Sequence, residues 1–118
     1  MRNYKNYEVW QRSHLLTLFV YKEVVDVMPK SSQFDLASQI KRAAYSIPLN
    51  IVEGCGRSSD KDFCRFLDIA LGSVHELEYA CLLAMDLEFI TKKAKTKLDI
   101  YLNEVKAKLI NLIKSIRR

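Results

Sequence analysis

Leu98, Leu102, Val105, Leu109, Leu112 and Ile116 recur at steps of four, three, four, three and four. That spacing puts them on one stripe of an α-helix and on no single face of a strand. A helix with one apolar stripe must cover it with another element, so the last third of the chain already demands helix-on-helix packing. Steps of three, four and seven recur upstream. Val9, Leu16, Phe19, Val20, Val24 and Val27 form one row, and Leu36, Ile40, Ala43, Ile47 and Ile51 a second. Phe63, Phe66, Ala70, Val74, Leu77, Cys81 and Ala84 form a third, widened by Leu67, Leu71, Leu82 and Met85. Only three glycines and two prolines punctuate 118 residues. A sandwich or barrel needs a turn about every 8–12 residues, so this count argues against both.

The expected fold is all-α: an up-down-up-down antiparallel four-helix bundle, one domain over residues 1–118. Its helices are placed at about 8–28, 32–53, 59–87 and 91–116, joined by links of about 3–6 residues that force neighbours to run antiparallel. Pro29 ends the first helix. Ser32 and Asp35 have capping-box spacing for the second. Pro48 lies inside that helix, where it removes one hydrogen bond and clashes with the carbonyl of Ala44. A helix kinked at Pro48 is expected, or else two shorter helices breaking near Ile47, with Ser46 or Asn50 available to satisfy the freed backbone. Gly54 is placed as a left-handed C-cap, and Ser59 as the N-cap of the third helix with Asp62 three residues on. Gly72 is expected where another helix approaches closely.

The chain lacks the patterns of several chemistries. A di-iron bundle needs Glu-x-x-His on two helices, but Gln11 and Gly72 stand three residues before His14 and His75. His14 is expected at a helix surface or in packing. Cys55, Cys64 and Cys81 form no CxxC pair and no even framework, which fits free thiols in a reducing compartment. Cys64 and Cys81 lie about 25 Å apart along one helix. Cys81 reads as a small buried hydrophobe, and Cys55 falls in a loop where its thiol would be open to reaction. Gly54-Cys55-Gly56-Arg57-Ser58-Ser59 precedes a helix but lacks the Gly-Lys-Ser/Thr ending of a P-loop, so a cap-and-turn role is favoured over a phosphate cradle. No catalytic constellation, metal site or cofactor motif emerges, and the expectation is a protein that is not an enzyme. No apolar run reaches signal-peptide or membrane-spanning length, so a cytoplasmic protein is expected.

Charge is uneven. From Thr91 to Arg118 nine basic residues face only Asp99 and Glu104, a local charge of +7, while residues 1–90 carry −2. Such a segment is an electrostatic footprint for nucleic acid or another acidic partner. The plainer alternative is a solvated face, with lysines near a helix C-terminus favoured by the helix dipole. Candidate nucleic-acid contacts are Lys92, Lys93, Lys95, Lys97, Lys106 and Lys108, followed by Arg57, Lys61 and Arg65. On the second helix Gln39, Arg42, Ser46, Asn50 and Glu53 step by three, four, four and three. This mixture of amides, a hydroxyl and opposite charges suits a hydrogen-bonded seam between helices or subunits. A wet polar surface is the alternative.

The run from Gln39 to Ser58, QIKRAAYSIPLNIVEGCGRS, is similar to the signature of bacterial four-helix bundle proteins encoded in intervening sequences of large-subunit ribosomal RNA genes. Phe66-Leu67-Asp68-Ile69-Ala70-Leu71-Gly72-Ser73 and Glu76-Leu77-Glu78 resemble that family's second signature. Tyr7-Glu8-Val9-Trp10-Gln11 and the stretch Leu109–Ser115 match as well, so the resemblance covers nearly the whole chain. Leu49, Val52 and Cys55 depart from the family pattern. The resemblance implies a homopentamer of up-down bundles. It also implies kinship with the accessory variability determinant of diversity-generating retroelements, which binds nucleic acid and a reverse transcriptase. Partners to be expected are therefore further copies of the chain, RNA or DNA, and a nucleic-acid-processing protein. The leading expectation is an oligomeric bundle that binds structured nucleic acid through a basic surface. A protein-interaction scaffold with no nucleic-acid role is the alternative.

Overall fold

Among the described residues, each of four long helices touches two others and leaves the diagonal empty. In chain order the first packs on the second, the second on the third, the third on the fourth and the fourth on the first. In the computed structural model, which describes residues 2–117, α1 spans Glu8–Phe19, α2 Leu36–Cys55, α3 Asp60–Asp86 and α4 Lys92–Arg117. Among the described residues there is no strand. The body measures 43 × 24 × 20 Å, and its long dimension matches the ~1.5 Å rise per residue of the longest helix. The core comes from the inward stripes: Leu16, Ile40, Ile47, Leu67, Leu77, Leu98 and Leu102 are among its sealed side chains.

The first helix departs from expectation at its C-terminal end. Residues Val20–Val25 continue α1 as a π-helix. Its wider turn inserts a residue into the pattern. The buried set becomes Val20, Val24, Val25 and Met28, and Val27 is turned out to 60% exposure. The chain then passes through a short 3-10 turn, Lys30–Ser32. Ser32 does not cap α2. Its hydroxyl donates to the Pro29 carbonyl at 2.7 Å, and α2 starts four residues later, at Leu36, with no side-chain cap.

Within α2 the helix passes through Pro48 unbroken. Proline has no N–H, so the carbonyl of Ala44 loses its partner one turn on. The hydroxyl of Thr17 on α1 lies 3.1 Å from that carbonyl and 2.8 Å from the Ser13 carbonyl of its own helix, so its one proton is shared between the two. Neither Ser46 nor Asn50 does this. The Ser46 hydroxyl bonds to the Ala43 carbonyl, and the Asn50 amide donates to the Ser46 carbonyl. Ser46 instead faces α3, where its hydroxyl meets that of Ser73.

Gly54 is no left-handed cap. It lies inside α2, which runs on to Cys55, and no glycine has a positive φ. A Cβ at Gly54 would stand 3.0 Å from Phe63 Cδ1 and 3.0 Å from Phe66 Cβ. Gly54 is therefore where α2 and α3 approach each other. The expected close approach at Gly72 does not occur within the chain, since a Cβ there would meet nothing within 4 Å. Ser59 caps α3 as expected, its hydroxyl oxygen accepting from the Asp62 N–H at 3.1 Å. At the other end of α3, Glu88 holds φ 63°, and the N–H of Phe89 donates to the Ala84 carbonyl at 2.8 Å. This is a Schellman closure made with a glutamate where glycine is usual.

Along α4 the buried row is Leu98, Leu102, Val105, Leu109 and Ile113. The last expected members, Leu112 and Ile116, are only partly buried. A straight helix drifts ~20° per heptad against a strict seven-residue repeat, so the core passes from Leu112 to Ile113.

Candidate nucleic-acid interface

The lysines of α4 divide into two groups. Lys106 reaches both carboxylate oxygens of Glu78 on α3 at 3.0 Å. Lys108 meets Glu8 of α1 at 3.0 Å, and Arg12 meets Glu104 at 2.7 Å. Lys95 bonds Asp99 one turn along at 2.7 Å. These groups stitch α4 to its neighbours or to itself. The hydrogen bond and charge of Lys108, helped by Arg12, hold the Glu8 carboxyl below the usual range. Arg117 pairs with Asp68 at the far end of α4, and that hydrogen bond raises the guanidinium's affinity for its proton.

Lys114, near the C-terminus of α4, makes no ion pair among the described residues, and the other unpaired lysines stand at the opposite end of the helix: Lys92, Lys93 and Lys97. All three are exposed, and among the described residues none makes an ion pair. They stand in the first turns of α4, and its first turn holds no acidic residue. This is the positive end of the helix dipole, where a cation costs the helix stability. The dipole thus gives no reason for lysines here, and the C-terminal explanation covers only Lys114 and Arg117. The fold also brings carboxylates near. Lys93 and Lys97 share a hollow with Glu23, Phe19 and Val27. Lys92 shares one with Asp86 and Glu88. The sequence-level excess of +7 is therefore partly offset at this end by acids that precede α4 in the chain.

The second basic cluster lies at the opposite end, around the α2–α3 loop. Arg57, Lys61 and Arg65 are exposed. The guanidiniums of Arg57 and Arg65 both lie over the Phe66 ring, 4.8 and 4.7 Å from its centroid. Arg2 joins them. Its guanidinium sits 4.2 Å from the Phe63 centroid, donates to the Arg57 carbonyl at 3.0 Å and pairs with Asp60. Neither the Arg2 contact nor the shared ring was legible in the spacing. Only the Phe63–Phe66 row hinted that aromatic faces would stand beside the basic loop.

The polar residues of α2 do not close into one network within the chain. The Ser46 and Ser73 hydroxyls are 2.5 Å apart, joining α2 to α3. Gln39, Arg42 and Glu53 make no side-chain bond within the chain among the described residues; Gln39 and Glu53 are exposed and Arg42 is exposed beside them. The thiol of Cys55 is buried and not loop-exposed, because α2 extends through it. Burial pushes its pKa up. Cys81, sealed in the core, is pushed up to about 12 by the same cause. Cys64 is buried too. His14 is exposed, stacked on Trp10 with ring centroids 5.2 Å apart.

A family model described as 23S rRNA-intervening sequence protein matches residues 5–111. The chain belongs to that family. A crystal structure at 28% identity supports the same placement, with a TM-score of 0.83 over 90% of this chain and 95% of the other. That neighbour is a protein of unknown function from the S23 ribosomal protein family of Bacteroides thetaiotaomicron. No curated protein matches the chain. The 23S rRNA-intervening sequence protein fold therefore accounts for the four-helix ring, with the two basic clusters at its opposite ends. No helix of the described residues is long and apolar enough to cross a membrane.

Proposed function

We propose that this 23S rRNA-intervening sequence protein is a non-enzymatic, self-associating bundle that binds structured nucleic acid, RNA or DNA, through a basic surface. The observation that carries this reading is the placement of Lys92, Lys93 and Lys97. They are exposed, without an ion pair among the described residues, and set at the end of α4 where the dipole opposes them. Phosphate groups would neutralise them and release counterions. Arg57, Lys61 and Arg65 offer further contacts at the other end. The protein works in the cytoplasm, as a homopentamer if it follows the assembly its resemblance implies, and a nucleic-acid-processing protein is a fitting further partner.

A scaffold reading draws on a different feature. Ile69, Gly72, Glu76 and Tyr79 form an exposed row on α3, and Tyr45 and Leu49 are exposed on neighbouring α2. Binding to a labelled hairpin RNA and a DNA duplex across a salt series separates the two. Affinity should fall linearly on a log–log salt plot. Replacing Lys92, Lys93 and Lys97 by Gln should flatten the slope by ~0.7–0.9 for each phosphate no longer neutralised. Absence of binding at low salt would leave the scaffold reading in possession.

A further inference from the structure

Two guanidiniums share one phenyl ring at the α2–α3 end of the bundle. Arg57 Cζ lies 4.8 Å and Arg65 Cζ 4.7 Å from the Phe66 centroid, so their separation cannot exceed the two distances together. The ring beneath them is fixed. Phe66 is 7% exposed, Phe63 1%, and both are seated against Gly54 with no room even for a methyl group. Arg2 braces the loop by donating to the Arg57 carbonyl. The nearby acids oppose the pair only in part. Asp60 is engaged by Arg2, and Asp62 makes a long ion pair with Arg65 Nε, 3.9 Å apart and without a hydrogen bond. Arg57 has no carboxylate partner among the described residues. A hollow lined by Arg2, Gly56, Arg57 and Ser58 opens beside it.

A guanidinium over a ring face keeps its N–H edge available for an anion, and its fork matches the two oxygens of a phosphate. Two like charges set on one buried ring, with Asp62 beside Arg65 as their one carboxylate neighbour in an ion pair among the described residues, are complementary to negative charge. We propose that Arg57 and Arg65, positioned by Phe66, form a two-pronged clamp for a phosphodiester of bound nucleic acid. The proposal rests on the nucleic-acid reading above and adds a contact of a different kind, about one helix length from the α4 lysines. Both prongs are exposed and the hollow beside them is open, which suits a polymer backbone lying across it better than a small free ion.

The test is fluorescence anisotropy of the full chain with a fluorescein-labelled hairpin RNA and a DNA duplex over a salt series, each variant first checked for helical content. Arg57→Gln and Arg65→Gln should each weaken binding about tenfold at low salt and flatten the salt slope by ~0.7–0.9. Phe66→Leu keeps every charge and should still weaken binding, because the prongs lose their base. Arg57→Lys should restore the slope without restoring affinity, because an ammonium cannot make the paired contact. Inorganic phosphate should compete no better than chloride at equal ionic strength; strong competition would make this a free-anion site and overturn the proposal. Wild-type affinity and slope in both glutamine variants, with binding abolished in Lys93→Gln and Lys97→Gln, would overturn the clamp and leave the nucleic-acid reading standing. No binding by the wild type at low salt would remove both. Should Phe66→Leu fail to fold, the glutamine variants decide.

Discussion

At the scale of single residues, the two helical glycines look alike in sequence and have opposite meanings in space. At Gly54 a methyl group would press on Phe63 and on the Cβ of Phe66, 3.0 Å away in each case. Cβ atoms cannot swing aside as a flexible side-chain end can. Gly54→Ala should therefore lower stability by ~1–3 kcal/mol, the usual cost of overpacking. At Gly72 the space is open, and Gly72→Ala should raise the stability of the isolated chain by ~0.5–1 kcal/mol through helix propensity. Chemical denaturation of both variants checks the pair; a neutral Gly54→Ala would mean that α2 and α3 are free to separate. The buried thiols give a second test. Cys81 in the folded chain holds its proton to a pKa of about 12, against 9.0 for a free thiol. Between those values the unfolded chain has released the proton and the folded chain has not, so stability falls as pH rises above 9.0. The Cys81 share of the loss should be on the order of 1 kcal/mol per pH unit, and Cys81→Ala should remove that share and leave the part due to Cys55, which burial also pushes up. Melting curves on both sides of that window decide it.

At the scale of elements, the α1–α2 contact turns on one hydroxyl. Pro48 frees the Ala44 carbonyl, and the Thr17 hydroxyl on α1 reaches it at 3.1 Å while also bonding the Ser13 carbonyl at 2.8 Å. Thr17→Val keeps the shape and leaves a carbonyl without its donor, at a cost of ~1–3 kcal/mol. Pro48→Ala restores an N–H at the position that can bond Ala44. In that background Thr17→Val should cost less, and the difference between the two costs measures the compensation directly. Equal costs in both backgrounds would show that Thr17 acts by packing alone. The same pairing explains why α2 continues through Pro48 as one helix and does not break in two near Ile47.

At the scale of the whole molecule, the surface retains features that one bundle leaves uncovered. Arg42 and Glu53 make no side-chain bond within the chain among the described residues, and Tyr45 and Leu49 are exposed on the same helix. If copies pack on this side, Arg42→Ala and Glu53→Ala should each dissociate the assembly in light scattering, with helical content kept. Charges sealed in an interface leave uncompensated partners when one is removed. If the face is wet, both changes should fall within ~0.5 kcal/mol and leave the mass unchanged, and a wild type of monomer mass at micromolar concentration would end the self-association proposal.

Helix number, helix order and most of the core were legible from residue spacing, because a 3–4 apolar period admits one regular structure and one mode of covering its stripe. The Leu98–Leu109 seam and the Ser59 cap needed nothing beyond their own neighbours in sequence. What only the tertiary structure decided depends on contacts across the chain. The π-turn that exposes Val27, the release of Ser32 from its cap and the rescue of Pro48 by Thr17 each went unseen in the local pattern. So did the role of Gly54 as an approach point and the sheltering of Cys55. Charge follows the same division. The basic excess of the last segment is a property of the sequence, but the packed helices decide which lysines remain available. They tie Lys106 to Glu78 and Lys108 to Glu8, leave Lys92, Lys93 and Lys97 without an ion pair among the described residues, and bring Arg57 and Arg65 onto one ring. Periodicity is local and is read along one helix, whereas an ion pair or a shared ring forms only where the packing angle and register of two helices bring distant residues together.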